Sequence, residues 1–536
     1  MHLHLLPASR TLLYMSQIDR RRFLLTAAAT AASLRSSLAQ EVHHDRDLVP
    51  NDQWPTPGPA TLTLHPDKPG PTIPHNFVGL SYEIQQLTDP AFFSLANTGL
   101  ITQFKALTPH GVLRLGGNTS DVGWWKPTPD STQPPLPPNV VIVPLRPDEQ
   151  PFQKLAYSVT PEAVTNLRAF LDATGWTCLY GINLGTNTPE RAAEEASFVA
   201  KTLGPKLENF QLGNEPDLFP TRFRVKATWT ADAYLDEWLA AAKAIVAVVP
   251  NAKFGLPDVA NNPQWTTTIA DRLVNDPFLP HIAAISHHYY FGGPPANPKV
   301  NIDTLLHPDP KVADRAEAAH AAAAKLGTLY RMTEGNTCFR GGKPGVSDVF
   351  AAALWAADYL LTLASLGYAG VNLHGGSGKA VADSLGGTLP GELLMPDPKA
   401  PHPRPFYTPI AEIAGQYLPE PIFYGMKFAT AFQGAQLLKL DFHPGDINAT
   451  AFAAKLPDGQ TLVALINKDS KRPLIAKLLG YQSATLQNLS ALDLSSREVH
   501  LDGFNSKVTR KVDTVKGPLS LQLTIPSATA TLITVS

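Results

Sequence analysis

A chain of 536 residues is too long for one ordinary domain, and its 44% hydrophobic content is that of a globular protein, so its 50 prolines indicate stiffened surface loops rather than disorder. Its 44 Lys and Arg against 46 Asp and Glu leave a formal charge of −2. That balance excludes the basic stripe of a nucleic-acid binder.

Arg20-Arg-Arg-Phe-Leu-Leu25, followed by an Ala- and Thr-rich run, resembles a twin-arginine export signal with a small-residue cleavage site near Ser37-Leu-Ala39. The run is too short to span a bilayer, which takes about 20 apolar residues, and no later segment reads as a membrane anchor. Met15 stands just upstream of the arginines, so Met1 and Met15 are both candidate starts. Residues 1–39 are therefore expected to be a signal peptide, and the mature chain to work in the periplasm or outside the cell. Residues 40–70 follow as a Pro-rich lead-in and a strand, Ala60–His65, whose alternation and flanking Pro-Gly turns assign it to an accessory sheet.

Residues 71–420 alternate strand and helix patterns, which predicts an α/β fold, a parallel sheet closed into a (β/α)8 barrel. Phe77–Tyr82 reads as the first strand, ending at Glu83. Gly111–Gly117 reads as the second, with Arg114 aimed into an apolar interior where a buried guanidinium demands carboxylate partners. A Trp- and Pro-rich insertion over 123–158 has no periodic pattern, and Trp124 and Trp125 either stack on a sugar or pack into the core. Helix 161–171, strand 177–184, helix 189–203, strand 206–211, helix 230–249 and strand 253–257 carry the alternation forward. Strand 281–290, helix 311–325, strand 329–334, helix 347–366 and strand 370–374 complete it. Period-two spacing along 281–290 puts His287 and Tyr289 on one face and His288 and Tyr290 on the other. Beyond about residue 425, short alternating strands such as Gln460–Ile466 and Leu519–Ile525 predict an antiparallel β-sandwich over 421–536.

Two further barrel strands end in carboxylates. Leu212-Gly-Asn-Glu-Pro-Asp217 delivers Asn214 and Glu215 to the rim, where Pro216 bars the ladder from continuing. Leu329-Tyr-Arg-Met-Thr-Glu334 does the same about three βα units later. A carboxylate at a strand end is costly to bury unless it is paired or used. Two of them on one rim suit glycoside hydrolysis, in which one gives a proton to the leaving oxygen and the other attacks or activates water. The cysteines, Cys178 and Cys338, are read as two free thiols, with Cys338 beside the cleft; their spacing leaves a disulfide open. No His/Cys spacing reads as a metal site, and no cofactor is implied.

Several blocks occur in order across residues 75–425: Gly79-Leu-Ser-Tyr-Glu83 with Thr88-Asp-Pro90, Leu113-Arg-Leu-Gly-Gly-Asn118, Gly213-Asn-Glu-Pro216, Ser286-His-His-Tyr-Tyr290, Thr333-Glu334 and Ser347-Asp-Val-Phe-Ala351. Together they resemble glycoside hydrolase family 79, the β-glucuronidases and heparanases within a clan of (β/α)8 retaining glycosidases. The resemblance implies hydrolysis of β-linked glucuronic acid or its 4-O-methyl ether, with Glu334 as nucleophile and Glu215 as acid and base. It also implies that Arg114 lies beneath the nucleophile, that Glu83 holds sugar hydroxyls and that Asn118 contacts substrate. By the same likeness His287 and Tyr289 face the site, Tyr289 hydrogen-bonds the nucleophile, and His374 sits in the substrate-recognition loop. Asn214, beside the acid, is expected to hold the sugar's 2-hydroxyl. The match weakens after His374, where no tyrosine follows within Gly375–Lys379; Lys379, Arg340 and Tyr407 are then candidates to meet the uronate carboxylate. The expected partner is a glucuronic-acid-containing oligo- or polysaccharide, or a glucuronide conjugate, acted on by a monomer or simple homo-oligomer. A clan relative acting on a neutral sugar, such as a β-xylosidase, and a non-catalytic secreted carbohydrate-binding protein are the alternatives.

Overall fold

A computed structural model describes residues 56–141, 155–398, 402–507, 510–513 and 520–535. The expected export signal, most of the lead-in and residues 142–154 of the insertion lie outside the described residues.

Eight parallel strands close into a barrel. In chain order they are β1 (Val78–Glu83), β2 (Val112–Gly116), β3 (Thr177–Ile182), β4 (Leu207–Leu212), β5 (Phe254–Val259), β6 (Ile282–Gly292), β7 (Leu329–Cys338) and β8 (Val371–Gly375), and β8 returns to pair with β1. The strands are buried on both faces, as a parallel sheet wrapped in helices requires. The helices between them carry their own start and stop signals. Thr160 and Thr188 each cap a helix through the side chain, at Ala163 N and Arg191 N, with Pro161 and Pro189 in the first turn. Gly175 ends the first of these helices in the left-handed conformation. These caps fix where each crossover turns back, and so which strand end reaches the rim.

The later half departs from the expected layout in three places. Pro421–Thr430 is a helix, with Phe423, Met426 and Phe428 buried, and Gly425 lets it approach the backbone of Ala353 on helix Phe350–Ser365 closely. The accessory sheet therefore starts at Gln436 rather than 421. Its hydrogen bonds join ten strands into one sheet, nine along a single path and Arg510–Asp513 paired to Ser483–Ser490 off it. Strand Gly58–Thr72 joins it antiparallel to Gln436–His443 and parallel to Leu474–Leu479. Leu62, Leu465, Leu478, Leu523 and Ile533 build a core of its own on one face. Helix Phe350–Ser365 also starts later than residue 347, because Ser347 and Asp348 are spent on the preceding loop, at Lys343 N and Gly345 N.

The insertion is anchored at both ends by a short parallel pair, Gly123–Trp125 with Tyr157–Val159. Trp125 packs on Phe198 with ring centroids 5.2 Å apart, so this tryptophan belongs to the core. Cys178 and Cys338 are free and buried. Cys338 faces the core rather than the cleft expected for it.

Barrel and sheet are joined by a buried ion pair. Lys468 Nζ, its side chain 2% exposed, donates to Asp358 Oδ2 at 2.5 Å, and Thr450 Oγ1 donates to Oδ1 at 2.6 Å. Asp358→Ala strands that ammonium and is expected to cost about 3 kcal/mol, read as a lower urea midpoint. Adding Lys468→Met to it should restore most of the loss.

Candidate active site

The carboxyl ends of the strands surround a cavity of about 1080 Å³. Glu215 enters it just beyond β4. The backbone turns left-handed at Gly213 (φ 79°) and again at Glu215 (φ 47°), and Pro216 opens a short 3-10 turn, so the carboxylate is aimed by backbone conformation and not by the sheet ladder. Glu334 lies on β7. Its Oε1 accepts from Tyr290 Oη at 2.9 Å and its Oε2 from Arg114 Nη1 at 2.6 Å. His288 stands between the two glutamates, with Nδ1 at 3.1 Å from Glu215 Oε1 and 4.0 Å from Glu334 Oε2. One polar atom from each of Glu215, His288 and Glu334 lies within 4.8 Å of the other two. Two carboxylates and an imidazole at this spacing also match the donor set of a divalent cation. Here the same lone pairs are taken by Tyr290, Arg114 and the imidazole itself.

Arg114, from β2, sits under this group at 1% exposure. Besides Glu334 it donates to Asn214 Oδ1 (2.8 Å), Gln211 Oε1 (3.0 Å) and Asp258 Oδ2 (3.3 Å). A side chain on Gly116 would collide with the guanidinium, and one on Gly117 with the carboxylate of Glu83. The Gly-Gly pair is thus the space that both charged groups occupy. Glu83, at the end of β1, accepts from Thr119 N (2.9 Å) and Oγ1 (2.6 Å). His374, at the end of β8, bonds Ser81 Oγ through Nδ1 at 3.0 Å and lies 3.6 Å from Glu83 and 3.9 Å from Glu334. Glu83, Asn118, Asn214 and His374 all line the cavity. Asn214 is fixed through its backbone N–H on Asp121 Oδ2 at 2.9 Å, and the other oxygen of that carboxylate takes the N–H groups of Leu184 and Gly185.

The two glutamates differ in charge because their surroundings differ. Burial raises the pKa of Glu215, and the neighbouring His288 offsets this only in part. Burial would raise Glu334 as well, but His374, His288, Arg114 and the Tyr290 hydroxyl bring it down to about 2. Burial would lower His288, yet Glu334, Asp258 and Glu215 push it up to about 9, so the imidazole is a cation between anions. Asp258 is held below the usual carboxylate range by His288 and Arg114 against its own burial. The result is one carboxyl group that keeps its proton to higher pH than an ordinary glutamate opposite one that gives it up at far lower pH, the separation that acid-assisted nucleophilic displacement requires.

The expected face of β6 is reversed. His287 Nε2 meets Tyr368 Oη at 2.7 Å behind the strand, and Tyr289, although it lines the cavity, donates its hydroxyl to Asp309 and not to Glu334, while its ring lies 5.1 Å from the Arg315 guanidinium. His288 and Tyr290 take the inner positions. The pairing with β7 shows why: the register slips between Met332 and Glu334, so Glu334 stands opposite His288, and neighbouring parallel strands share a face at paired positions. Asp258 and Asp121 were not singled out from sequence either. Asp258 carried a readable signal, a carboxylate just past Leu256-Pro257 at the end of a strand, which is the pattern that marked Glu215. Of the candidates for a substrate carboxylate, Lys379 is 81% exposed, pairs with Asp383 and does not line the cavity, whereas Arg340 and Tyr407 do.

No protein-family model matches the chain. A beta-glucuronidase of Aspergillus niger is 27% identical over 340 residues, covering 58% of this chain and 60% of that protein. A beta-glucuronidase of Neurospora crassa is 26% identical over 361 residues, with the same coverage of 58% and 60%, so the match spans less than two thirds of either relative. Among solved structures, the 4-O-alpha-L-rhamnosyl-beta-D-glucuronidase of Fusarium oxysporum, crystallised as its Rha-GlcA complex, superposes with a TM-score of 0.65 over 88% of this chain and 100% of that one, at 16% identity. In sequence the chain is thus similar to fungal beta-glucuronidases, and in fold to a solved glucuronidase.

Proposed function

We propose that the chain is an exported retaining glycoside hydrolase that releases β-linked glucuronic acid, or its 4-O-methyl ether, by double displacement. The observation that carries this reading is the approach of Glu215 and Glu334 to within 4.8 Å, with surroundings that push their pKa values apart. Retaining enzymes hold their carboxyl groups about 5–5.5 Å apart, whereas inverting ones need about 6.5–9.5 Å to admit a water. Glu334, ionised and pinned by Arg114 and Tyr290, attacks the anomeric carbon and forms a glycosyl ester while Glu215 protonates the departing oxygen. Loss of charge on Glu334 at that step favours the ionised form of Glu215, which then takes a proton from the incoming water. Asn214, held by Arg114 and Asp121, is positioned for the 2-hydroxyl, and Glu83 and Asn118 for the hydroxyls beyond it.

The names of the two fungal relatives and of the Fusarium enzyme support glucuronic acid as the sugar. Export rests on the Arg20–Arg22 leader. Among the described residues no helix is long and apolar enough to cross a membrane.

Turnover of p-nitrophenyl β-D-glucuronide, with the β-xyloside and β-glucoside as competitors, tests the substrate; proton NMR of the first-formed anomer tests retention, and an α product would refute it. Glu334→Ala should abolish turnover, with azide restoring part of it as the α-glycosyl azide. Glu215→Gln should lower the rate on poor leaving groups by about 10²–10⁴ and much less on p-nitrophenol. The pH profile of kcat/KM should be a bell. Its acid limb lies below the ordinary glutamate value of 4.5, because activity is lost only when Glu334 gains a proton, and its alkaline limb lies above 4.5, where Glu215 loses one. Tyr290→Phe should move the acid limb upward and Tyr289→Phe should leave it in place.

A further inference from the structure

We propose that Arg340 recognises the substrate carboxylate and so sets the preference for a uronic acid over a neutral sugar. The inference rests on the glucuronidase reading of the cleft and on the position of Asn214 within it. In a six-membered sugar ring C5, which bears the carboxylate, stands across from C2. Asn214, the partner for the 2-hydroxyl, follows β4, and in the closed order of eight strands the one opposite β4 is β8. A ring held this way turns its C5 substituent toward the exits of β7 and β8.

Thr337, Phe339, Arg340, His374, Leu385 and Tyr407 line the cavity there. Arg340 supplies the permanent positive charge among them. His374 is already bonded to Ser81 and flanked by Glu83 and Glu334, and Tyr407 is 2% exposed, with its ring against those of Tyr290 and His374. Arg340 is exposed and, among the described residues, makes no hydrogen bond or ion pair. The other arginines that line the cavity are engaged: Arg222 Nη1 donates to Asn118 O at 3.3 Å and Arg315 Nη1 to Ala260 O at 2.8 Å.

Its backbone supports the same role. Arg340 has a φ of 63°, a conformation that non-glycine residues seldom adopt, and Gly341 and Gly342 follow with φ of 88° and 83°. The turn is held by Gly342 N on Cys338 O at 3.2 Å and by Phe406 N on Gly341 O at 2.8 Å. Phe339, the residue before, packs its ring 6.4 Å from that of Tyr290, the tyrosine on Glu334. Arg340 thus starts one residue from the sugar-binding floor, with a planar fork suited to a bidentate carboxylate pair.

Asparagine tolerates the left-handed backbone, so Arg340→Asn removes the charge without forcing the turn. This variant should raise KM for p-nitrophenyl β-D-glucuronide about 10- to 100-fold, change kcat little and leave the β-xyloside within about 3-fold. Wild-type KM for the glucuronide should rise with NaCl, and the variant's should not. Arg340→Lys should fall between the two. Equal losses on both substrates, an unchanged glucuronide KM with its salt dependence intact, or loss on Lys299→Gln in place of Arg340→Asn would each overturn the assignment. A wild-type enzyme that hydrolyses only the neutral sugars would instead refute the glucuronidase reading itself.

Discussion

The arrangement depends on one buried cation. Taking the guanidinium of Arg114 out of water is affordable only because its donors find oxygens, and those oxygens belong to residues of β1, β4, β5 and β7 or just past their ends. Holding Glu334 and Asn214 on one guanidinium sets the spacing between the carboxylate proposed to attack and the amide proposed to orient the sugar. The same charge, with His374 and His288, holds the pKa of Glu334 down where burial alone would raise it. Structural and electrostatic roles are therefore carried by the same bonds.

Around that centre the site is built from strained and close-packed backbone. Glu215, Asp258 and Arg340 all adopt left-handed conformations at or just past strand ends, and Gly116 and Gly117 leave room for two charged side chains. Such positions re-aim a side chain where a regular ladder would point it into the helix layer or the barrel floor. The barrel supplies rigidity, and the departures from regularity supply direction.

Much of this was legible in the residues. Carboxylates closing apolar runs, prolines after threonines at helix starts, and an arginine inside a strand each carry a local physical signature, and they located Glu215, Glu334, the crossovers and Arg114. What stayed hidden was parity. Strand β6 is buried at seven of its first eight residues, so alternation leaves no trace in composition, and the slip near Thr333 that aligns Glu334 with His288 has no signature of its own. The tryptophan of the insertion was equally ambiguous, because a ring stacked on Phe198 and one stacked on a sugar look alike in sequence. The helix Pro421–Thr430 was masked by its apolar residues, which fit the run-up to a sheet as readily as an amphipathic turn.

The accessory sheet is not a module strung on the end of the chain. Strand Gly58–Thr72, which precedes the barrel, lies between Gln436–His443 and Leu474–Leu479, and among the described residues it alone connects the pair Leu474–Leu479 and Ser520–Ile525 to the other strands of the hydrogen-bonded path. During synthesis this segment emerges first among the sheet's strands and must wait, unpartnered, until the whole barrel has been made. The barrel is thereby an excursion enclosed by its neighbour, and assembly of the sheet is a late, non-local event that ties the two ends of the described chain together.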